Sequence, residues 1–503
     1  MRGDVNADPL AIVLLTGALV VLFAVFGMRL AARLGVPGLL IFLALGLLLG
    51  TTLEPFDFEN AQLAVVLGYS ALVVILAEGG LTTRVDALRP VLWPSVALAT
   101  LGIAVSIGVV GAVLHLVTGL DWRTALLMGA ILAPTDAAAV FSVARRLRLP
   151  PRMRTLLEAE AGFNDAPVIV MISVLASADA SKSPAWLLPI LVVVELIGGA
   201  VIGVLVGWFA RWAMPRLALP AAGLYPIAAV AFLVSAYAVA ALLHTSGFLA
   251  VYVAGILLGS TTQLPHRRTV LGFTQALALT AEIGLFVMLG MLAETWRLPS
   301  AAFVALVAGV TLVLLARPAA ALASLMIFRL PARWIAFVGV AGLRGAVPIV
   351  FAAIPLGAGS PNASLLFDAT VIIVLLLTII QTPILPWLAR RLALVAESEA
   401  EELDVDVAPL EGMSADVLSF AVPPKSKLVG IFVDELGLPL GSVVALVVRK
   451  GVAIVPDEHT RIRNGDQLVI VVAENARELT EKRMRALSRS GRLATWFGDQ
   501  GSL

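Results

Sequence analysis

Residues 156–175 read LLEAEAGFNDAPVIVMISVL, a stretch apolar enough to cross a bilayer that carries Asn164 and Asp165 at its centre. An ionised carboxylate at bilayer depth costs roughly 2.5–3.5 kcal/mol on insertion scales. A chain tolerates that cost only where the group is paired, neutralised or facing a water-filled route. Asp165 is therefore the first candidate for a binding group.

The rest of the chain supplies the membrane. Of its 503 residues, 60% are hydrophobic and 14% charged, with a mean hydropathy of +0.99. Soluble domains carry about 25% charged residues, so the composition is that of a polytopic membrane protein. A net charge of +1 gives no electrostatic case for nucleic acid. The chain has no cysteine, which excludes disulfides and thiolate chemistry, and its four histidines (His115, His244, His266, His459) have no zinc-ligand spacing. The first apolar run lacks a basic leader and a cleavage site and reads as a retained helix.

Thirteen apolar runs of spanning length lie at roughly 10–28, 36–53, 61–80, 91–118, 122–143, 154–177, 186–213, 222–243, 246–260, 270–293, 300–327, 333–356 and 367–390. If the first loop is cytoplasmic, one side of the membrane receives seventeen loop arginines, among them Arg84, Arg145, Arg152, Arg154 and Arg390. The other receives four basic residues, Arg2, Arg123, Lys182 and Arg297, with the acidic stretch TTLEPFDFEN (51–60). This bias places the N-terminus outside and the C-terminus in the cytoplasm, as an odd number of spans requires.

Two blocks of six spans joined by the seventh begin on opposite faces, the arithmetic of an inverted-topology repeat. Interruptions then belong at matching places. GAILAPTDAAAV (129–140) interrupts the fifth span and VAGLRGAVPIV (340–350) the twelfth, each with a proline and a charge near its centre. Proline frees a carbonyl, which is tolerated at depth only where irregular backbone lines a cavity or is buried in protein. The expectation is two broken helices that cross near the midplane.

The polar residues at depth are few. Thr135 and Asp136 lie on the first broken helix, Glu160, Asn164 and Asp165 on the sixth span and Arg344 on the second broken helix. Glu78 closes the third span at headgroup level; Glu282 in the tenth and Glu195 in the seventh read as packing residues. Asp136 also suits the exposed amides of a broken helix end. Arg344 needs an acidic partner, with Glu160 the first candidate and Glu282 the second. Glu158 reads as a surface partner of Arg152 or Arg154. A carboxylate in a closable cavity binds either a proton or a monovalent cation, because burial favours the neutral form and an approaching cation the ionised one. Competition for one such site, with alternating access, yields exchange, and one net charge suggests 1:1 electroneutral stoichiometry. A channel would need a carbonyl-lined filter of the TVGYG kind, which is absent. An intramembrane aspartyl protease built on Asp136 and Asp165 would need a Gly-x-Gly-Asp signature, also absent.

These motifs resemble, over about residues 10–390, the NhaP-like branch of the cation:proton antiporters. Glu160, Asn164 and Asp165 are similar to that family's E-S-x-x-N-D motif, Thr135-Asp136 to its Thr-Asp motif and GLRGAVP (342–348) to its second broken helix. The resemblance implies a core that moves against a dimerisation domain, a homodimer, a bacterial inner-membrane location and no cofactor beyond the transported cation and H+. It implies Asp165 as the ion- and proton-binding carboxylate with Thr135 nearby, Asp136 and Asn164 as stabilisers of the crossing, and a Glu160–Arg344 ion pair. Glu78 resembles an acidic position of some members. Two residues depart from the pattern: Ala161 stands where serine is usual and Ala137 where proline is usual. The first removes a potential ligand oxygen and is compatible with a larger ion, K+ before Na+.

Beyond the membrane domain (1–392), ESEAEELDVDVAPLE (397–411) reads as part of a solvated acidic linker (393–412). Residues 413–485 then read as a small α/β domain. DVLSFAV (416–422), SVVALVVRKG (442–451), VAIVP (452–456) and QLVIVVA (467–473) are strands, KLVGIFVDEL (427–436) a helix and Gly465-Asp466 a turn. The stretch 430–471 resembles the TrkA-C type of regulatory domain. Such domains dimerise and sense a small ligand, here unknown. The tail, 486–503, carries no readable signal. The same combination of transporter and tail resembles the potassium/proton antiporters.

Overall fold

A computed structural model of the chain describes residues 9–34, 38–52, 61–136, 147, 149–177, 187–261, 264–293, 296–394, 405–409, 415–423, 426–449, 451–473 and 476–491. Most of the acidic loop at 51–60, Ala137 and the end of GAILAPTDAAAV, much of the acidic linker and residues 492–503 lie outside them. The chain divides into two compact units, Met1–Val395 and Ala396–Leu503.

The first unit is helical: α1 (Pro9–Leu34), α2 (Gly38–Thr52), α3 (Ala61–Thr82), α4 (Val85–Thr118), α5 (Trp122–Leu132), α6 (Pro151–Ala176), α7 (Leu187–Ala213), α8 (Leu224–Leu242), α9 (Gly247–Gly259), α10 (Arg267–Leu292), α11 (Leu298–Phe328), α12 (Ala332–Val340), α13 (Ala346–Gly357) and α14 (Ala363–Arg391). Among the described residues, eight helices are long and apolar enough to cross a membrane, and five more carry shorter apolar stretches. The expected run at 333–356 is two helices, α12 and α13, separated by non-helical Ala341–Gly345. At 122–143, α5 stops at Leu132 and Ala133–Asp136 is not helical.

Glycine decides the closest packing. α2 lies against α10, where a Cβ on Gly290 would come within 2.5 Å of the Leu43 carbonyl oxygen and 2.9 Å of the Gly46 Cα. α9 lies against α3 in the same manner, where a Cβ on Gly255 would come within 3.0 Å of the Gly80 Cα. Only the missing side chains let these backbones touch. The sequence repeats the device: Gly46 and Gly50 frame LLL in α2, and Gly255 and Gly259 frame ILL in α9. A second recurrence is a π-turn inside each of two long helices, Leu98–Gly102 in α4 and Leu312–Ala316 in α11, each packed on the other helix. A wide turn of this kind changes the face a helix presents at that depth.

The second unit is a five-stranded antiparallel sheet of order β1-β2-β5-β3-β4, formed by β1 (Val405–Pro409), β2 (Ala415–Ala421), β3 (Ser442–Arg449), β4 (Val452–Ile454) and β5 (Gln467–Ala473). Alternation sends Leu418, Phe420, Leu468, Ile470 and Val472 to one face, where they meet Met484 and Leu487 of α15 (Arg477–Ser490). Two expectations are corrected. The linker is not irregular throughout, because Val405–Pro409 adds to the sheet edge beside β2. Residues 427–436 are not an α-helix. Gly430 takes φ +93°, its amide bonds to the Ile462 carbonyl at 2.9 Å, and the Ile462 amide returns to Ile431. A single 3-10 turn, Asp434–Leu436, remains, so pairing with 460–462 and burial of Leu428, Ile431 and Leu436 outweigh helix propensity.

Candidate ion site at the interrupted helices

α6 is the scaffold. Pro150 precedes it and Pro151 begins it, where a missing amide costs nothing. At its far end Arg123 donates to the carbonyls of Leu175 and Ser177, both at 2.6 Å, a cation on the negative end of the helix. Pro167 lies inside the helix and removes the amide that would serve the Phe163 carbonyl, two residues before Asp165.

The two non-helical segments meet beside it. The Asp136 amide donates to the Leu343 carbonyl at 3.0 Å. Arg344, 1% exposed, donates from Nε to the Leu132 carbonyl (2.8 Å), from Nη2 to Ala133 (3.2 Å) and from Nη1 to Gly342 (2.8 Å). Leu132 and Ala133 are the last carbonyls of α5, so the guanidinium sits on the negative end of that helix. Asp136 does the converse. Gly345 precedes α13, and a Cβ there would overlap the Asp136 carboxylate, which therefore lies against the positive end of α13. α14 ties the break down: Thr378 donates to the Arg344 carbonyl at 3.1 Å and Gln381 to Val340 at 3.4 Å.

The expected Glu160–Arg344 pair is not formed. Glu160 accepts instead from Arg317 Nη1 at 2.7 Å, and both side chains are buried. Arg317 begins the helical turn after the π-turn of α11, and its Nη2 also donates to the Val338 carbonyl at 3.2 Å. The physical reason is geometric. A planar guanidinium is satisfied by several carbonyls in a fork, and the broken helices offer Arg344 such a set, which leaves Glu160 to Arg317. Both arginines crowd Gly342, where any side chain would overlap Arg317.

Asn164 and Asp165, each 1% exposed, lie on α6 beside this crossing. Asn164 donates from Nδ2 to Thr135 Oγ1 at 2.7 Å, so Thr135 and Asn164 are brought together as a unit. Asn164 Oδ1 and Asp165 Oδ1 are buried and accept no hydrogen bond among the described residues. An acceptor left without a donor at depth is expensive, and these two oxygens, one of them on the side chain that bonds Thr135, are candidate ligands for a cation. Glu78 on α3 and Glu282 on α10 are half-buried.

Sequence reasoning missed Arg317, whose Arg-Pro in the apolar run of α11 was the available signal. It also passed over Asp368 on α14, buried and bonded to Arg297 at 3.2 Å.

Known proteins resemble this chain along most of its length. Residues 18–391 match the family of the sodium/hydrogen exchanger, transmembrane, and residues 417–485 match the TrkA-C domain. The K(+)/H(+) antiporter NhaP of Alkalimonas amylolytica is 33% identical over 493 residues, covering 95% of this chain and 84% of that protein. The K(+)/H(+) antiporter NhaP2 of Shewanella sp. (strain ANA-3) is 32% identical over 506 residues, covering 98% and 87%. The Na(+)/H(+) antiporter NhaP of Pseudomonas aeruginosa is 29% identical over 343 residues, 64% of this chain and 80% of that protein. Among solved structures, the sodium proton antiporter MjNhaP1 of Methanocaldococcus jannaschii superposes with a TM-score of 0.67 at 22% identity, covering 77% of this chain and all of that one.

Proposed function

The chain belongs to the sodium/hydrogen exchanger family, and we propose that it exchanges K+ for H+ at Asp165 by alternating access. The family makes it a monovalent cation/proton antiporter of the membrane and not an enzyme. The observation that carries the site is the pair of buried oxygens, Asp165 Oδ1 and Asn164 Oδ1, that accept no hydrogen bond among the described residues. A proton on Asp165 or a cation shared by Asp165, Asn164 and Thr135 satisfies them, and one excludes the other. Asp136 and Arg344 hold the crossing through helix ends, so the charge that changes hands is that of Asp165 alone. That is the basis for a 1:1, electroneutral exchange.

The choice of K+ rests on the relatives. Those aligned along nearly the whole chain, tail included, are named K(+)/H(+) antiporters, whereas the Na(+)/H(+) relative aligns over 64% of it. Ala161, one turn before Asp165, supplies no oxygen and suits the larger ion. Thirteen spans in two inverted halves accommodate the eight long and five shorter apolar helices, and the paired glycine crossings and π-turns support that reading. In this arrangement residues 1–392 form the transporter, with the N-terminus outside a bacterial inner membrane. Residues 393–412 lead to a cytoplasmic regulatory domain at 413–485, followed by a tail (486–503), and the protein works as a homodimer.

The test is proton flux in proteoliposomes under an imposed pH gradient, challenged in turn with KCl, NaCl and choline chloride. A response to K+ exceeding that to Na+, and none to choline, is expected. A response to Na+ alone would keep the antiporter and overturn the ion.

A further inference from the structure

On α6, Glu158, Gly162 and Asp165 stand at i, i+4 and i+7, within about 60° of one another on a helix that turns ~100° per residue. Glu158 marks the arginine-rich end of this strip, paired at 2.9 Å with Arg154, whose side chain is half exposed. Asp165 is buried two turns further in. Gly162 lies between them, and the ring of Tyr252 covers it: a Cβ on Gly162 would overlap three ring carbons. Tyr252 is itself wholly buried.

The ring is held from another helix. Tyr252 belongs to α9, whose backbone touches α3 so closely that a Cβ on Gly80 would come within 2.6 Å of the Tyr252 carbonyl oxygen. Its hydroxyl lies 3.5 Å from Thr83 Oγ1, next to Arg84, and Phe163 meets the ring edge-on at 5.4 Å. A side chain anchored on the α3–α9 seam thus reaches across to α6 and covers the strip that joins the arginine-rich surface to Asp165. Glycine at 162 is what lets the ring lie flat there. A tyrosine can be buried in this position because its polar tip meets a hydroxyl.

We propose that Tyr252 is the gate between Asp165 and the arginine-rich side of the membrane: seated on Gly162 it closes that route, and it must leave Gly162 before an ion or proton reaches Asp165 from there. The inference rests on Asp165 being the exchange site.

The absence of native cysteine allows a direct test. Ala161, fully buried on α6 within about 40° of Asp165 around the helix, is changed to cysteine in the full chain and treated from each side of the membrane with an impermeant thiol reagent. From the arginine-rich side, Tyr252→Ala is expected to speed labelling about tenfold, ~1.4 kcal/mol in the opening equilibrium. Tyr252→Phe keeps the ring and should label at the parent rate. Gly162→Ala lifts the ring off the helix and should reproduce the acceleration, which covers the case in which Tyr252→Ala fails to insert. Equal labelling of the parent and the opened variants, or an acceleration of the same size from both sides, overturns the gate. Labelling requires no transport, so the same series in an Asp165→Asn background separates the two ideas. Exchange retained in Asp165→Asn would sink the site, whereas a loss of ring-dependent protection would sink the gate.

Discussion

Arg344 and Arg449 solve the same problem in opposite ways. In the sheet domain Arg449 takes a carboxylate, both oxygens of Asp466 at 2.8 Å, and a third oxygen from the Arg461 carbonyl. In the membrane unit Arg344 takes three backbone carbonyls and no carboxylate. The difference follows from what each backbone leaves unpaired. An antiparallel sheet spends most of its carbonyls on its ladder, whereas interrupted helices expose theirs, with a dipole that favours a cation. A helix end used as a counter-ion leaves a carboxylate uncommitted. That is how the crossing can be rigid while Asp165, the proposed exchange group, keeps a buried oxygen that accepts no hydrogen bond among the described residues.

The strongest way to break this comparison is at Asp165. Asp165→Asn is expected to abolish cation-evoked proton flux with unchanged membrane insertion, since an amide cannot trade a proton for a cation. Next come the buried charges. Arg317→Ala and Glu160→Gln each leave a partner unpaired and should cost roughly 3–5 kcal/mol of stability. In a double-mutant cycle read by thermal stability in detergent, Glu160 and Arg317 should couple strongly while Glu160 and Arg344 do not. Coupling of Glu160 to Arg344 alone would restore the pairing that the sequence suggested.

In the sheet domain, Asp466→Asn should cost about 1–3 kcal/mol, the loss of charge-assisted bonds, confined to hydrogen exchange of β3 and β5. Burial pushes the Asp466 carboxyl up, but the Arg449 bonds and the Arg463 amide outweigh it, so it sits below the ordinary aspartate range. A carboxyl depressed in the folded state adds stability that is complete above its unfolded value, near pH 4, and fades as pH falls through the folded one. Acid should therefore loosen β3 and β5, and Asp466→Asn should flatten that dependence. An unaltered acid profile in the variant would contradict the assignment. The smallest effect expected is from removal of residues 400–503, which should alter the dependence of flux on conditions without abolishing it.

Much of this was legible in residue order. Apolar runs, arginine asymmetry and two proline-bearing interruptions indicate the membrane unit, and Asn164-Asp165 is conspicuous because charge at depth is costly. The partners of the arginines were not legible, because carbonyl and carboxylate compete for a guanidinium on differences of position that composition does not encode. β1 escaped because Val405–Pro409 lies among acidic residues and gains its structure from β2. α15 lay across the expected domain border, although Arg477–Glu481 at i, i+4 and the apolar pair Met484 and Leu487 carry a helical signature.

The most direct test of the central claim, that proton and cation compete for one carboxylate, is the half-saturating K+ concentration for exchange measured across pH. Competition at Asp165 predicts that it rises by about tenfold per pH unit on the acid side of the carboxyl's titration, with the maximal rate preserved. A half-saturating concentration that stays constant while the maximal rate falls would place the proton elsewhere and contradict the account.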